Sequence, residues 1–168
     1  MAAALMMAAL AGRFYLGIAE GQCREGEPGP ALIVTARGLK DRTGVLQAEL
    51  YPANDKDFLE DDKILIQEGK TFRRAVAPVA QAGPAQLCIR VPAPGTYTLS
   101  LLHDRDGDRK FSLLNDGIGF PGNPRLGHSK PPASAARITA GPGLTPVQIV
   151  LNYYHGFFAF GPLKRAVP

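Results

Sequence analysis

The chain has 168 residues, of which 45% are hydrophobic and 20% charged, a composition that can bury a core and excludes intrinsic disorder. Its 19 glycines and 15 prolines favour turns over long helices. The formal net charge is +4, yet the basic residues (Arg73, Arg74, Arg90, Arg109, Lys110, Arg125, Lys164, Arg165) form no single stripe, so nucleic-acid binding, which needs clustering and a motif, is not expected.

Residues 1–11 are small or apolar and uncharged, Arg13 interrupts, and residues 14–19 are apolar again. A membrane span needs about 20 apolar residues. This stretch barely reaches that and carries an arginine, so it reads as a secretory signal over 1–19. Gly17 and Ala19 stand at the −3 and −1 positions, and the mature chain would start at Glu20 with no membrane span. A non-cleaved anchor or an ordinary N-terminal helix is the alternative, since no basic residue precedes the apolar run. No lipobox surrounds Cys23. The chain has two cysteines, Cys23 and Cys88. An even count in an exported chain suggests a disulfide; two buried thiols in a reducing compartment are the other reading.

From there short β-like runs recur between turn residues. Residues 31–39 are the first. After a turn at 41–44, residues 45–51 alternate, with Leu46, Ala48 and Leu50 on one face and Gln47 and Glu49 on the other; the two runs read as a hairpin. Residues 52–69 form an acidic connection with a helical turn expected around 55–60. Residues 71–79 and 85–91 are the third and fourth strands. The fifth, 96–103, sets Tyr97, Leu99 and Leu101 opposite Thr98 and Ser100. Residues 104–132 form a long loop. Residues 133–140 and 147–154 supply the last two strands, split by Gly141, Pro142 and Gly143. The pattern predicts an all-β fold: a seven-stranded antiparallel β-sandwich over 30–155, immunoglobulin-like or transthyretin-like, with one long loop before the last two strands and a C-terminal tail over 156–168. A small barrel is the alternative.

Pro94, Gly95, Thr96 and Tyr97 are similar to the Pro-Gly-x-Tyr start of a strand in transthyretin-like modules, where the tyrosine buries its ring and bonds nearby backbone through its hydroxyl. That strand runs into His103, Asp104, Arg105, Asp106, Gly107 and Asp108. Asn115, Asp116, Gly117, Ile118, Gly119, Phe120 and Pro121 follow, and a strand from Ile149 to Tyr153 ends the pattern. Together these motifs resemble the bacterial exported family known as domain of unknown function 2141, over residues 31–154. The resemblance implies a β-sandwich behind a signal sequence; the family has no established activity. The chain departs from the family's pattern at Arg109, where glycine is usual, and near Asn123, where an acidic residue is usual.

Asp104, Asp106 and Asp108 stand at i, i+2 and i+4, and Asn115 and Asp116 follow near the twelfth position. Alternating oxygen donors suit a hard cation, so a weak structural calcium site is the expectation for the loop. The competing reading is a solvated turn whose Asp side chains cap their own backbone. It is favoured by Arg109 and Asn115, which occupy positions where an EF-hand loop has glycine and glutamate, and by the nearby Arg105 and Lys110. No Gly-x-Ser-x-Gly elbow, Walker loop or dinucleotide fingerprint is present, and no enzyme is expected. The alternative is a hydrolase using Asp104, His103 and His128 with Ser129 or Ser112. His103 is expected to be a hydrogen-bonded structural histidine, and His155 a surface residue. Tyr153, Tyr154, Phe157, Phe158 and Phe160 are expected to pack the last strand and an apolar tail that pairs with a sheet edge or a partner chain. These features suggest a periplasmic or secreted binding or structural module of the cell envelope, whose partner is an envelope component or small ligand, with no cofactor beyond calcium.

Overall fold

The computed structural model describes residues 19–157 and 159–167; the expected signal segment lies outside them except for Ala19. Alternation builds the first strands. β1 (Ala31–Arg37) buries Leu32, Val34 and Ala36, and β2 (Val45–Pro52) buries Leu46, Ala48 and Leu50. The remaining strands are β3 (Arg73–Pro78), β4 (Gln86–Arg90), β5 (Gly95–Asp104), β6 (Gly117–Gly119), β7 (Arg137–Ala140), β8 (Leu144–Val150), β9 (Tyr153–Tyr154) and β10 (Phe160–Gly161). The first sheet has the order β4-β1-β8. The second has the order β3-β2-β5-β6 with β7 also on β5, and β9 and β10 form a small third sheet. The seven expected strands are present in whole or in part, and the fold is all-β: Ala133–Ala136 of the sixth form a turn of 3₁₀ helix ahead of β7, and the seventh is split into β8 and β9. The short β6 and β10 are additional.

Two expectations are corrected. β1 and β2 are not a hairpin, because they belong to different sheets: β2 pairs β3 and β5, whereas β1 pairs β4 and β8. A tight hairpin has a short loop, but residues 38–44 cross between the sheets and bury Leu39 on the way. At the end of that crossing Gly44 has φ 71, and a Cβ there would lie 2.0 Å from the Asp104 carbonyl oxygen, so β2 can start flush against the end of β5 only with glycine. The sandwich is also not wholly antiparallel: β1 runs parallel to β8 from Ala31↔Leu144 to Arg37↔Val150. These strands come from distant parts of the chain, so no tight turn dictates their relative direction. Residues 55–59 make the expected turn, the Phe58 amide donating to the Asn54 carbonyl at 3.0 Å, and a short helix, α1 (Asp62–Gln67), follows it. Asp61 caps it by accepting from the Lys63 amide, and it buries Leu65.

The core between the two large sheets contains Leu32, Leu46, Ile89, Leu99, Leu101 and Ile149. The second sheet is covered on its other face too. There Tyr51, Phe58, Phe72 and Phe120 form a second cluster with Leu65, Ala133 and Ala136. Its rings meet edge to face, with centroids at 5.9 Å for Tyr51–Phe58, 5.4 Å for Tyr51–Phe72 and 5.6 Å for Phe58–Phe120. The acidic connection and the long loop thus form a third layer over this sheet. On β5 the Tyr97 hydroxyl donates to the Ala93 carbonyl at 2.8 Å, as the strand-start motif implied.

Residues 19–22 seam the two large sheets together. The Arg74 amide donates to the Ala19 carbonyl (2.7 Å), the Gly21 amide donates to the Arg74 carbonyl (2.8 Å), and the Arg90 amide donates to the Gly21 carbonyl (2.7 Å). Arg74 lies on β3 and Arg90 on β4. A disulfide joins Cys23 to Cys88 of β4, with Cα atoms 5.6 Å apart. At the other terminus Phe160 and Gly161 pair back onto Tyr154 and Tyr153, and Val167 pairs with Leu39. Phe157 is exposed, and Phe158 lies outside the described residues. No described helix is long and apolar enough to cross a membrane.

Candidate functional site

β5 delivers His103 and Asp104, both buried, to the start of the long loop. One carboxylate oxygen of Asp104 accepts from the Gly107 amide (2.7 Å) and the other from the Arg109 amide (2.8 Å). Asp106 accepts from the Asp108 amide at 3.2 Å, and Asp108 from the Lys110 amide at 2.7 Å. Each aspartate caps backbone just ahead of it. Asp116, also buried, closes the loop: its oxygens accept from the Arg105 amide (2.9 Å) and the Ser112 amide (2.8 Å). The Arg105 guanidinium ties the loop to Asp41 and to the Asn115 carbonyl. Burial works against ionisation of Asp41, but hydrogen bonds from Arg105 and Thr43 hold its carboxyl well below the usual carboxylate range.

Carboxylate oxygens of Asp104, Asp106 and Asp108 lie within 4.8 Å of one another. Asn115 reaches Asp106 through its amide nitrogen at 3.5 Å, while Asp116 is engaged with the two amides just described. Arg109 has φ 65. The left-handed backbone that a glycine would favour is therefore kept with an arginine, at a cost of about 1 kcal/mol.

His103 is buried and hydrogen-bonded through both ring nitrogens. Its Nε2 lies 2.9 Å from the Thr43 carbonyl oxygen and its Nδ1 lies 2.6 Å from the Tyr153 hydroxyl. A carbonyl only accepts, so Nε2 carries the proton and Nδ1 accepts from Tyr153. The Tyr153 oxygen in turn accepts from the Lys40 amide at 3.1 Å. Burial pushes the imidazole pKa down, against the Thr43 bond and the Asp41 carboxylate, and the net direction is downward. The folded protein therefore resists a proton that the unfolded chain takes up near pH 6.5. This contribution to stability is present above that pH and is lost as pH falls through the lower folded value. The melting temperature should fall between pH 7 and 5.5, and the slope should flatten in His103→Gln. An unchanged slope would refute the assignment.

His155 contacts the Gly161 carbonyl through Nε2 at 2.9 Å. His128 and Ser129 line an apolar cavity.

That cavity adjoins a second, polar one on the outer face of the second sheet, and the two share lining residues as the apolar and polar halves of one lined surface. In the polar half, alternation on β2 aims Gln47, Glu49 and Tyr51 the same way, beside Arg74 of β3 and Ser100 of β5. Glu49 accepts from Gln47 Nε2 (3.1 Å) and Arg74 Nε (2.6 Å) on one oxygen, and from the Tyr51 hydroxyl on the other. Arg74 also pairs with Asp62 at 3.0 Å and lies over the Phe72 ring at 5.0 Å. Burial, then the Glu49 charge, pushes the Tyr51 phenol far up, which keeps it a donor. Gln47 is 3% exposed, and its Oε1 has no hydrogen-bond partner among the described residues. The polar half encloses about 400 Å³ and the apolar half about 360 Å³. Leu59, Phe111 and Ile118 line both halves. Phe160, brought back by the β9–β10 pair, meets Phe111 at 6.1 Å between centroids.

The sequence reading missed the cleft. Gln47 and Glu49 are legible as one face of a strand, opposite the apolar one. The available signal was the aromatic Tyr51 continuing that polar face.

A sandwich with a tyrosine-anchored central strand and a carboxylate-capped loop defines an all-β module. The chain belongs to the family described as "Uncharacterized protein conserved in bacteria (DUF2141)", whose profile matches residues 34–148, as the motif resemblance implied. No curated protein and no solved structure matches the chain.

Proposed function

We propose that the protein is an exported binding module of the bacterial cell envelope, periplasmic or secreted, that takes a small ligand in the cleft on the outer face of its second sheet. The observation that carries this reading is the cleft itself, whose two halves have the size of ligand sites and offer apolar walls beside a few convergent polar groups. Export is supported by the apolar N-terminal stretch and by the Cys23–Cys88 disulfide, because such bonds persist in oxidising compartments. Binding is favoured over hydrolysis because both ring nitrogens of His103 and both oxygens of Asp104 are already engaged. Nile red, a neutral apolar dye, should bind the folded protein with blue-shifted emission. Leu113→Arg should weaken that binding, and Leu144→Arg, on exposed β8, should leave it unchanged. Equal dye binding by both variants would remove the reading. Export is tested by N-terminal sequencing from native cell fractions, where an intact Met1 in the cytoplasm would refute it.

A second, separate component is a weak structural calcium site in the loop. It is supported by the convergence of Asp104, Asp106 and Asp108, with Asn115 at hydrogen-bond reach of Asp106 and Asp116 ordering the loop behind them. Calcium should raise the melting temperature of chelator-treated protein at millimolar concentration, and Asp106→Ala should abolish the rise. No heat on calorimetric titration and an unchanged melting temperature would leave the loop as turn chemistry alone.

A further inference from the structure

The geometry points to a cationic amphiphile, a primary alkylammonium with a single apolar chain, as the ligand class this cleft selects; the inference rests on the reading that the cleft binds a small molecule. Two independent features of the polar half agree. The first is charge. Glu49, Glu60, Asp61 and Asp62 line it against Arg74 and Arg109, so carboxylates outnumber guanidiniums locally although the whole chain carries +4. The second is the buried Gln47. Its amide orientation is fixed by Glu49, because a flipped amide would set two oxygens against each other. Oε1 is left as a buried acceptor in need of a donor, on a side chain that lines the polar half. A carboxylate or phosphate head brings no hydrogen to Oε1 and meets the acidic wall. An ammonium brings three donors and the opposite charge.

The apolar half sets the ligand's direction. Leu113, Phe120, Leu126 and Phe160 accept the chain. Lys130, the cation on that half, turns its ammonium onto the carbonyls of Asp55 (2.9 Å) and Phe58 (2.8 Å). A cationic head is therefore repelled from the apolar end and drawn to the Gln47 end, with Leu59, Phe111 and Ile118 at the waist between them.

The test titrates ¹⁵N-labelled full-chain protein with octylammonium, octanol and octanoate at equal ionic strength. These probes share one chain length and differ in the head. Octylammonium should bind about tenfold tighter than octanol, the worth of a hydrogen bond to a charged donor, and octanoate weakest of the three, although the net positive charge of the protein favours anions elsewhere. The amide signals of Gln47 and Glu49 should move most with octylammonium. Gln47→Leu, with its melting temperature checked, should lower octylammonium affinity about tenfold and leave octanoate unchanged. Phe160→Ala should weaken all three alike. If octanoate matches octylammonium, or Gln47→Leu binds octylammonium as the parent does, the head assignment falls and the cleft reading stands. If none of the probes moves a cleft signal, both fall.

Discussion

Protein carrying Cys23→Ser and Cys88→Ser should lose about 4 kcal/mol of stability, the chain-entropy value for a cross-link spanning 65 residues. The native state adds a second reason for a large effect. Residues 19–22 are one short backbone segment hydrogen-bonded to β3 on one side and β4 on the other, and the disulfide anchors that segment beside them. Without it the segment can peel away from the two sheets, releasing the Arg74 amide and the Arg90 amide together. Urea unfolding of both forms gives the difference directly. A loss below about 1 kcal/mol would mean that the unfolded chain gains little freedom on release. Unfolded, unreduced parent protein should show no titratable thiol.

How much of this fold can be read from the chain depends on what alternation encodes. It identifies which side of a strand is apolar, and so β1, β2 and β5 are legible from Leu32, Leu46 and Leu99 outward. It does not say which strand lies alongside. β1 and β2 both turn apolar faces to one core, an arrangement met equally by neighbours in one sheet and by strands facing each other across two. β6 escapes for another reason. Gly117, Ile118 and Gly119 offer almost no side chains to alternate, and the smallness is itself the requirement: a Cβ on Gly119 would lie 2.4 Å from the Val150 carbonyl oxygen.

The candidate site divides along the same line. The acidic run is local in sequence, so its convergence in space follows from the turn that carries it. The cleft is non-local. Gln47, Arg74, Ser100, Phe111 and Phe160 come from three strands, a loop and the folded-back tail. Gln47 and Glu49 look like the wet face of a two-layer sandwich until residues such as Phe58, Phe120 and Ala133 are known to roof that face. Pairing and roofing are both tertiary facts, so the chemistry placed between them is invisible strand by strand.

Removing the buried carboxylates should separate turn chemistry from cation binding. Asp116→Ala strands the Arg105 and Ser112 amides, and Asp104→Ala strands those of Gly107 and Arg109. The Arg105 and Ser112 amides belong to half-buried residues and those of Gly107 and Arg109 to exposed ones, so Asp116→Ala should lose about 2 kcal/mol in calcium-free buffer and Asp104→Ala about 1 kcal/mol. Asp104→Ala acts at the end of β5, where Gly44 packs against the Asp104 carbonyl, and its effect should spread to β2. Asp116→Ala acts where the chain enters β6, the strand whose Ile118 forms the waist of the cleft, and it should weaken Nile red binding as well as stability. Asp106 and Asp108 are exposed and cap amides that water can serve, so their alanine variants should stay within about 0.5 kcal/mol of the parent. Denaturant melts of the four variants decide the matter. If Asp106→Ala proves as damaging as Asp116→Ala without calcium, the loop is not held by its two buried carboxylates, and the division between a capped frame and an exposed ion-facing edge is wrong.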